Sequence, residues 1–351
     1  MARRALVAWC LTPCALPDAP AQQTAPPPSS PTARAPRLFG TDEPFPLTLA
    51  TDWNALVKDR GTKRQPHAGV LRYASSGGDS VALNVTLRTR GHFRLKRDIC
   101  DFPPVKVDFD RAQTTATVFR HEGSMKLATH CRGGRNFEQY TLEEYLIYRI
   151  FNLLTERSFQ VRLAHVTYVD TARTRDSLTR YGFFIEDDNR MARRNHTHVI
   201  TSQGIPQEGT DPEQAGLIAV FEYMIANTDW SVGGLHNIVL TEDTSGTVYP
   251  VPYDFDWSGV ISTPYARPDA RLNITSVRQR LFRGYCRPAD QFAAIFARFN
   301  DRKDAIYTLY RSQVGADPKR VEQALRYYDD FYKVINDPKL VRREFLQGCK
   351  G

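Results

Sequence analysis

The chain has 351 residues, 41% hydrophobic and 11% aromatic, enough for one large domain or two lobes sharing a cleft around a substantial core. Its formal charge of +8 comes from 47 basic residues scattered among 39 acidic ones. No stripe of interleaved basic and aromatic residues appears, which argues against nucleic-acid binding and leaves an anionic ligand or acidic partner compatible.

The first segment runs Met1-Ala-Arg-Arg4, then Ala5-Leu-Val-Ala-Trp-Cys-Leu11, then Ala19-Pro-Ala21. That is the layout of a secretory signal peptide over 1–21. A lipoprotein variant would use Cys14, but Thr12-Pro13 before it is a poor match to such a site. Residues 22–37, rich in Pro, Ala and Ser, cannot bury an apolar face and read as a disordered tether. No other run reaches the roughly 20 apolar residues that cross a bilayer.

From Pro44 to Cys131 the pattern is strand-like. It is clearest where Val81, Leu83, Val85 and Leu87 alternate with smaller or polar residues. Further strands are predicted at His67 to Ala74, Val105 to Phe109 and Ser124 to Ala128, with Gly77-Gly78 and Gly123 as turns. A helix follows over Glu138 to Thr155, then strands over Phe159 to Val169 and Arg180 to Ile185. A second helix should start at Asp211-Pro212 and end near Ala226. After Pro264 the chain reads as helical to its end, most strongly over Gln291 to Tyr310 and Pro318 to Val334. The expected fold is α+β, with a β-rich N-terminal lobe over 38–190 holding one major helix and a mainly helical C-terminal lobe over 191–351.

Four cysteines follow the signal: Cys100, Cys131, Cys286 and Cys349. An even number fits an oxidising compartment, secreted or within a cell envelope, and no C-x-x-C pair suggests zinc. Cys100 and Cys131 flank neighbouring strands, while Cys286 and Cys349 border the C-terminal helices, so those pairings are expected among the three possible.

The chemistry concentrates in Ile225-Ala-Asn-Thr-Asp-Trp-Ser-Val-Gly-Gly-Leu-His-Asn237 and Val248-Tyr-Pro-Val-Pro-Tyr-Asp-Phe-Asp-Trp-Ser-Gly259. Carboxylates at the edge of a core need donors, a cation or water, so Asp229, Asp254 and Asp256 demand partners. Asp229 and Asn237 share a glycine-containing loop. A hairpin over 236–252 would bring Asp254 beside it. Three hard oxygen ligands suit magnesium or manganese better than zinc. No Gly-x-Ser-x-Gly elbow, His-Glu-x-x-His helix or recognisable Cys-His pairing is present, which removes the usual hydrolase signatures.

In motif order and character, from about Leu83 to Ala266, the chain resembles the spore-coat kinase CotH family of atypical protein kinases. Arg90-Gly91 after a strand, Pro104-Val-Lys-Val-Asp-Phe109, Leu127-Ala128, Glu144-Tyr-Leu-Ile-Tyr-Arg149, Tyr181-Gly-Phe-Phe-Ile-Glu186, the Asn227 to Asn237 loop and Pro252-Tyr-Asp-Phe-Asp256 carry that resemblance. It implies a two-lobed kinase-like fold and magnesium-dependent transfer from ATP to a protein or small hydroxyl substrate. By the same resemblance Asp229 is the catalytic base, Asn237 a metal ligand and Asp254 the principal magnesium ligand, with Asp256 close by. Asp and Asn stand five apart in ordinary kinases and eight apart here, with Ser231-Val-Gly-Gly234 as the surplus. Lys106 is preferred for the nucleotide phosphates and Lys126 is second, with Glu144 as the ion-pair partner. Arg90-Gly91-His92 is either a phosphate nest or a simple strand turn. His236 is read as orienting the loop, and Glu186-Asp187-Asp188 as lining the cleft or capping a strand. A non-catalytic envelope or surface protein that binds in the same cleft is the alternative. A carboxylate-pair glycosidase would need two carboxyls facing each other across a groove, whereas Asp254 and Asp256, one residue between them on a strand, would point to the same face.

Overall fold

The structure is a computed structural model that describes Met1 and residues 37–349. The signal expected over 1–21 and the tether over 22–37 thus lie, except for Met1 and Arg37, outside the described residues. In chain order the elements are β1 (Phe45–Thr51), α1 (Trp53–Lys58), β2 (His67–Ala74), β3 (Ser80–Thr89), β4 (Val105–Phe109), α2 (Arg111–Thr114), β5 (Ser124–Ala128), α3 (Arg135–Leu154), β6 (Val161–Asp170) and β7 (Leu178–Ile185). Then follow α4 (Asp188–Arg194), β8 (His198–Ile200), α5 (Pro212–Ile225), β9 (Ile238–Glu242), β10 (Val248–Pro252), α6 (Ala289–Ser312), α7 (Pro318–Ile335) and α8 (Pro338–Val341).

Alternation with period two puts one face of each early strand inward. Leu83, Val85 and Leu87 of β3 meet Val105 and Val107 of β4, Met125 and Leu127 of β5, and Leu71 of β2 in one core. Seven strands close around it in the order β1-β2-β3-β4-β5-β7-β6, and β1 and β6 complete the circle as the parallel pair. The protein is therefore α+β, with a β-rich N-terminal region and helices in the C-terminal part, as expected. The closure is a finding of the structure, and a closed seven-strand barrel is not a clear kinase lobe. Alternation tells which side chains face inward, but not whether the first strand meets the sixth.

α3 buries residues around most of its circumference, among them Leu142, Tyr145, Leu146, Ile147, Tyr148 and Phe151. It packs on β6 and β7 of the barrel on one side and on α6 on the other. α5 is buried from Gln214 to Ile225, as a helix apolar all round must be. Asp211 caps it by accepting from the Gln214 N–H, and Pro212 fills its first turn. α1 and α4 are too short to show a helical period, and neither was expected. Asp187 caps α4, while Glu186 is buried against Arg190 and Arg194, so the acidic triplet serves the strand end and the helix start.

One expectation is corrected after Pro264. Residues 264–288 contain no helix; Pro264, Pro268 and Pro288 bar helix only near the two ends of the segment. This segment instead presses on the chain at Gly259, where an added Cβ would lie 2.1 Å from the Val277 carbonyl oxygen. The two disulfides pair as anticipated, Cys100 with Cys131 and Cys286 with Cys349, and an oxidising compartment sustains such bonds. No helix among the described residues is long and apolar enough to cross a membrane.

Candidate functional site

α5 ends where Ala226 takes a left-handed conformation and turns the chain into the loop that carries Asp229. The Asn227 side chain accepts from the Asp229 N–H at 3.0 Å, and a bridge between Ser231 and His236 pinches the loop shut. His236 Nε2 lies 2.8 Å from Asp229 Oδ1, and Asn237 donates to the Asp229 carbonyl at 2.7 Å and to Oδ2 at 3.1 Å. His236 is pushed above its ordinary pKa, first by that bond to Asp229. The histidine therefore orients the carboxylate.

β9 and β10 then form the anticipated hairpin. It returns the chain so that the Tyr253 N–H donates to the Asn237 carbonyl at 3.0 Å, and the Asp254 N–H to the Tyr148 hydroxyl at 2.8 Å. Leu235, Asn237 and Asp254 all hold positive φ. Such strain costs of order 1–3 kcal/mol per residue and persists only where surrounding structure over-determines it, a condition common at functional sites.

The third wall comes from the loop between β3 and β4. Gly91 makes its turn at φ 88°, and Phe93 packs edge-on against Trp257 at 5.0 Å. Arg94 is thereby driven inward to 8% exposure. Its guanidinium reaches Asp254 Oδ1 at 2.8 Å, Asp256 Oδ2 at 3.3 Å and Glu144 Oε2 at 3.5 Å. Burial works against its charge, yet Asp256, Glu144 and Asp254 outweigh burial and hold its pKa well above the usual value. Burial also raises Glu144 and Asp256, with Arg94 opposing in both cases. The Tyr265 hydroxyl donates to Asp256 at 2.8 Å.

Asp229, Asn237, Asp254, Asp256 and Arg90 line one cleft of about 560 Å³. Glu144 stands behind it. Its ion pair is with Arg94, which corrects the expected pairing with Lys106 or Lys126. Lys106 points outward from β4, half exposed, toward Asp108 at 3.9 Å. Lys126 lies 2.7 Å from Asp188 and 5.0 Å from the ring of Tyr253, a cleft residue. Sequence reasoning missed Arg94 because it sits on a three-residue 3-10 turn, Phe93–Leu95, too short for periodicity to mark which side chain turns inward.

Among the described residues no group of three or more His, Cys, Asp or Glu is arranged to hold a metal ion. The donors in the cleft are mixed. Arg94 and Tyr265 use one oxygen each of Asp254 and Asp256, and among the described residues nothing hydrogen-bonds to Asp254 Oδ2, Asp256 Oδ1 or the Asn237 side-chain carbonyl. Two carboxylate oxygens and an amide oxygen are chemically suited to magnesium or manganese.

Beneath the loop, Glu222 of α5 is 1% exposed, and among the described residues neither carboxyl oxygen has a hydrogen bond of good geometry. Burial raises its pKa from 4.5 to about 8, which Asn227 and Arg283 offset only in part. A carboxyl raised on folding contributes stability that is full below its unfolded pKa and is lost as pH rises through the folded one. Glu222→Gln is therefore expected to raise the melting temperature above pH 8 and to change it little near pH 4.5. Thermal unfolding across that range checks this, and parallel curves for the two proteins would refute it.

No protein-family model matches the chain, and no curated protein matches it either. The functional reading therefore rests on the cleft and its chemistry.

Proposed function

We propose that the cleft binds a magnesium or manganese complex of ATP and directs its terminal phosphoryl group to a hydroxyl of a protein or small molecule, as a CotH-like kinase would. The observation that carries this reading is the convergence of Asp229, Asn237, Asp254 and Asp256 on one cleft from two separate segments. Chain order also supports it. A strand with Lys126, a helix with Glu144, a loop with Asp229 and Asn237, and an Asp254-Phe255 pair follow one another as the corresponding parts do in kinases. The two-lobed kinase-like fold belongs to this proposal, as does an exported, secreted or envelope location, which the disulfides favour.

In this reading Asp229 accepts the proton of the attacking hydroxyl, with His236 and Asn237 fixing its carboxylate. Asn237 and Asp254 would hold the divalent ion, which when bound supplies charge neutralisation on the phosphates. Arg94 fastens Asp254 and Asp256 in place. Lys126, against Tyr253 at the cleft wall, is better placed than Lys106 to reach phosphates, and Arg90 also lines the cleft.

The second reading is a non-catalytic envelope or surface binding protein, favoured by Arg94's claim on both hairpin acids and by the closed barrel. Calorimetric titration of the purified protein with magnesium and ATP separates the two. The kinase reading expects divalent-dependent heat that disappears in Asp254→Asn, together with autophosphorylation that requires the same residue. No heat and no phosphate incorporation would leave the binding-protein reading.

A further inference from the structure

Next to the acid cleft, and sharing His92 with it, lies a second groove of about 420 Å³ walled by Arg60, Arg64, His92, Leu95 and Lys96. The first cleft sets Asp229, Asp254 and Asp256 beside Arg90 and Arg94, whereas the second groove is walled by cations with no carboxylate among the described residues of its lining. Arg60 donates to the carbonyls of Val57, Leu95, Cys100 and Asp101, and Arg64 to those of Gly61, Thr89 and Gly91. These bonds fix the guanidinium groups and cancel none of their charge. Among the described residues, no carboxylate comes within ion-pair distance of Arg60, Arg64, Lys96, Arg97 or Arg175. Arg60 shows the effect: burial lowers its pKa first, and the positive charges of Arg97 and Arg175 lower it further, with Asp101 opposing. Lys96, Arg97 and Arg175 are exposed. The loop that carries Lys96 and Arg97 is anchored by the Cys100–Cys131 disulfide, so the positive wall is held in place.

We infer that this groove receives the acidic flank of a polypeptide whose neutral hydroxyl residue enters the adjoining acid cleft. The inference rests on the proposed phosphoryl transfer for the role of the hydroxyl, but not for the binding itself. Charge pattern selects the partner class. A continuous polyanion such as a nucleic acid strand would, in the absence of a divalent ion, bring further phosphates against Asp229, Asp254 and Asp256, since the two grooves share His92. A polypeptide can place a neutral Ser or Thr at the acids and its Glu or Asp residues a few positions away, matching both signs at once.

The test uses the purified protein and fluorescent peptides, with anisotropy read in the absence of nucleotide. One peptide carries a serine followed by a glutamate run, and its twin carries glutamine in place of glutamate. The glutamate peptide is expected to bind about tenfold more tightly than the twin, from several exposed charge pairs of modest strength each. Raised salt should erase that preference, and so should the double variant K96E/R97E. Both lysine and arginine are exposed, so folding should survive; K96Q/R97Q, expected to lose part of the preference, serves if charge reversal does not fold. Equal binding of the two peptides overturns the inference. So does an oligonucleotide that binds as tightly as the glutamate peptide. A protein that prefers the glutamate peptide yet never uses ATP would uphold the groove and remove the kinase reading, whereas ATP use without the preference would do the reverse.

Discussion

Arg94→Ala is expected to cost about 3–5 kcal/mol of folding stability, the range found when one partner of a buried ion cluster is removed. Arg94 is the cation shared by Glu144, Asp254 and Asp256 at 2.8 to 3.5 Å, and its side chain is only 9% exposed. Without it, three carboxyls face one another in a site that already raises Glu144 and Asp256 through burial. They would relieve the strain by taking up protons. Raised folded-state pKa values stabilise at low pH and lose that stability as pH rises through them, so the deficit should shrink in acid and widen toward neutrality. Arg94→Lys keeps the charge but not the planar fork that reaches three acids, so an intermediate loss is expected. Urea unfolding at acid and neutral pH measures all three proteins. A deficit below about 1 kcal/mol at neutral pH would mean that the acids are satisfied by something other than Arg94.

Asp229→Ala should reduce phosphoryl transfer by about 10²–10⁴-fold, the usual contribution of a positioned general base. Nucleotide affinity should change little, since in the proposed arrangement Asn237 and Asp254 hold the divalent ion. The fold should tolerate the change. Asp229 is a third exposed, and its side-chain bonds go to His236, itself more than half exposed, and to Asn237. Single-turnover phosphate transfer, paired with calorimetric ATP binding, distinguishes loss of the base from loss of the site. If transfer persists undiminished in Asp229→Ala, another group takes the proton and the assignment of the base fails. Asp229→Asn sharpens the test, because it preserves shape while removing basicity.

Much of the secondary structure was legible because it rests on local patterning. Alternation at Val81 to Leu87 announces a strand whatever lies beside it, and Asp211-Pro212 announces a helix start because cap and first-turn chemistry are local. The disulfide partners could be chosen because Cys100 and Cys131 flank neighbouring strands and Cys286 and Cys349 border the C-terminal helices. The convergence of Asp229 with Asp254 followed from a hairpin, whose reach is also short in sequence.

Long-range partnerships were not legible. Arg94 and Asp254 are 160 residues apart, and a loop arginine carries no mark of the acids it will meet. Nor does a strand pattern record closure, which needs β1 to find β6 across more than 100 residues. Residues 264–288 illustrate the opposite error: the chain after Pro264 reads as helical, while in the structure this segment is irregular and packs closely on Gly259. The sequence by itself determined the α+β composition, the strand faces and the acidic residues that need partners, because each depends on neighbours in the chain. Only the tertiary structure decided the barrel, the cation that answers those acids and the groove beside them, because each depends on contacts whose energy appears only once distant segments are packed together.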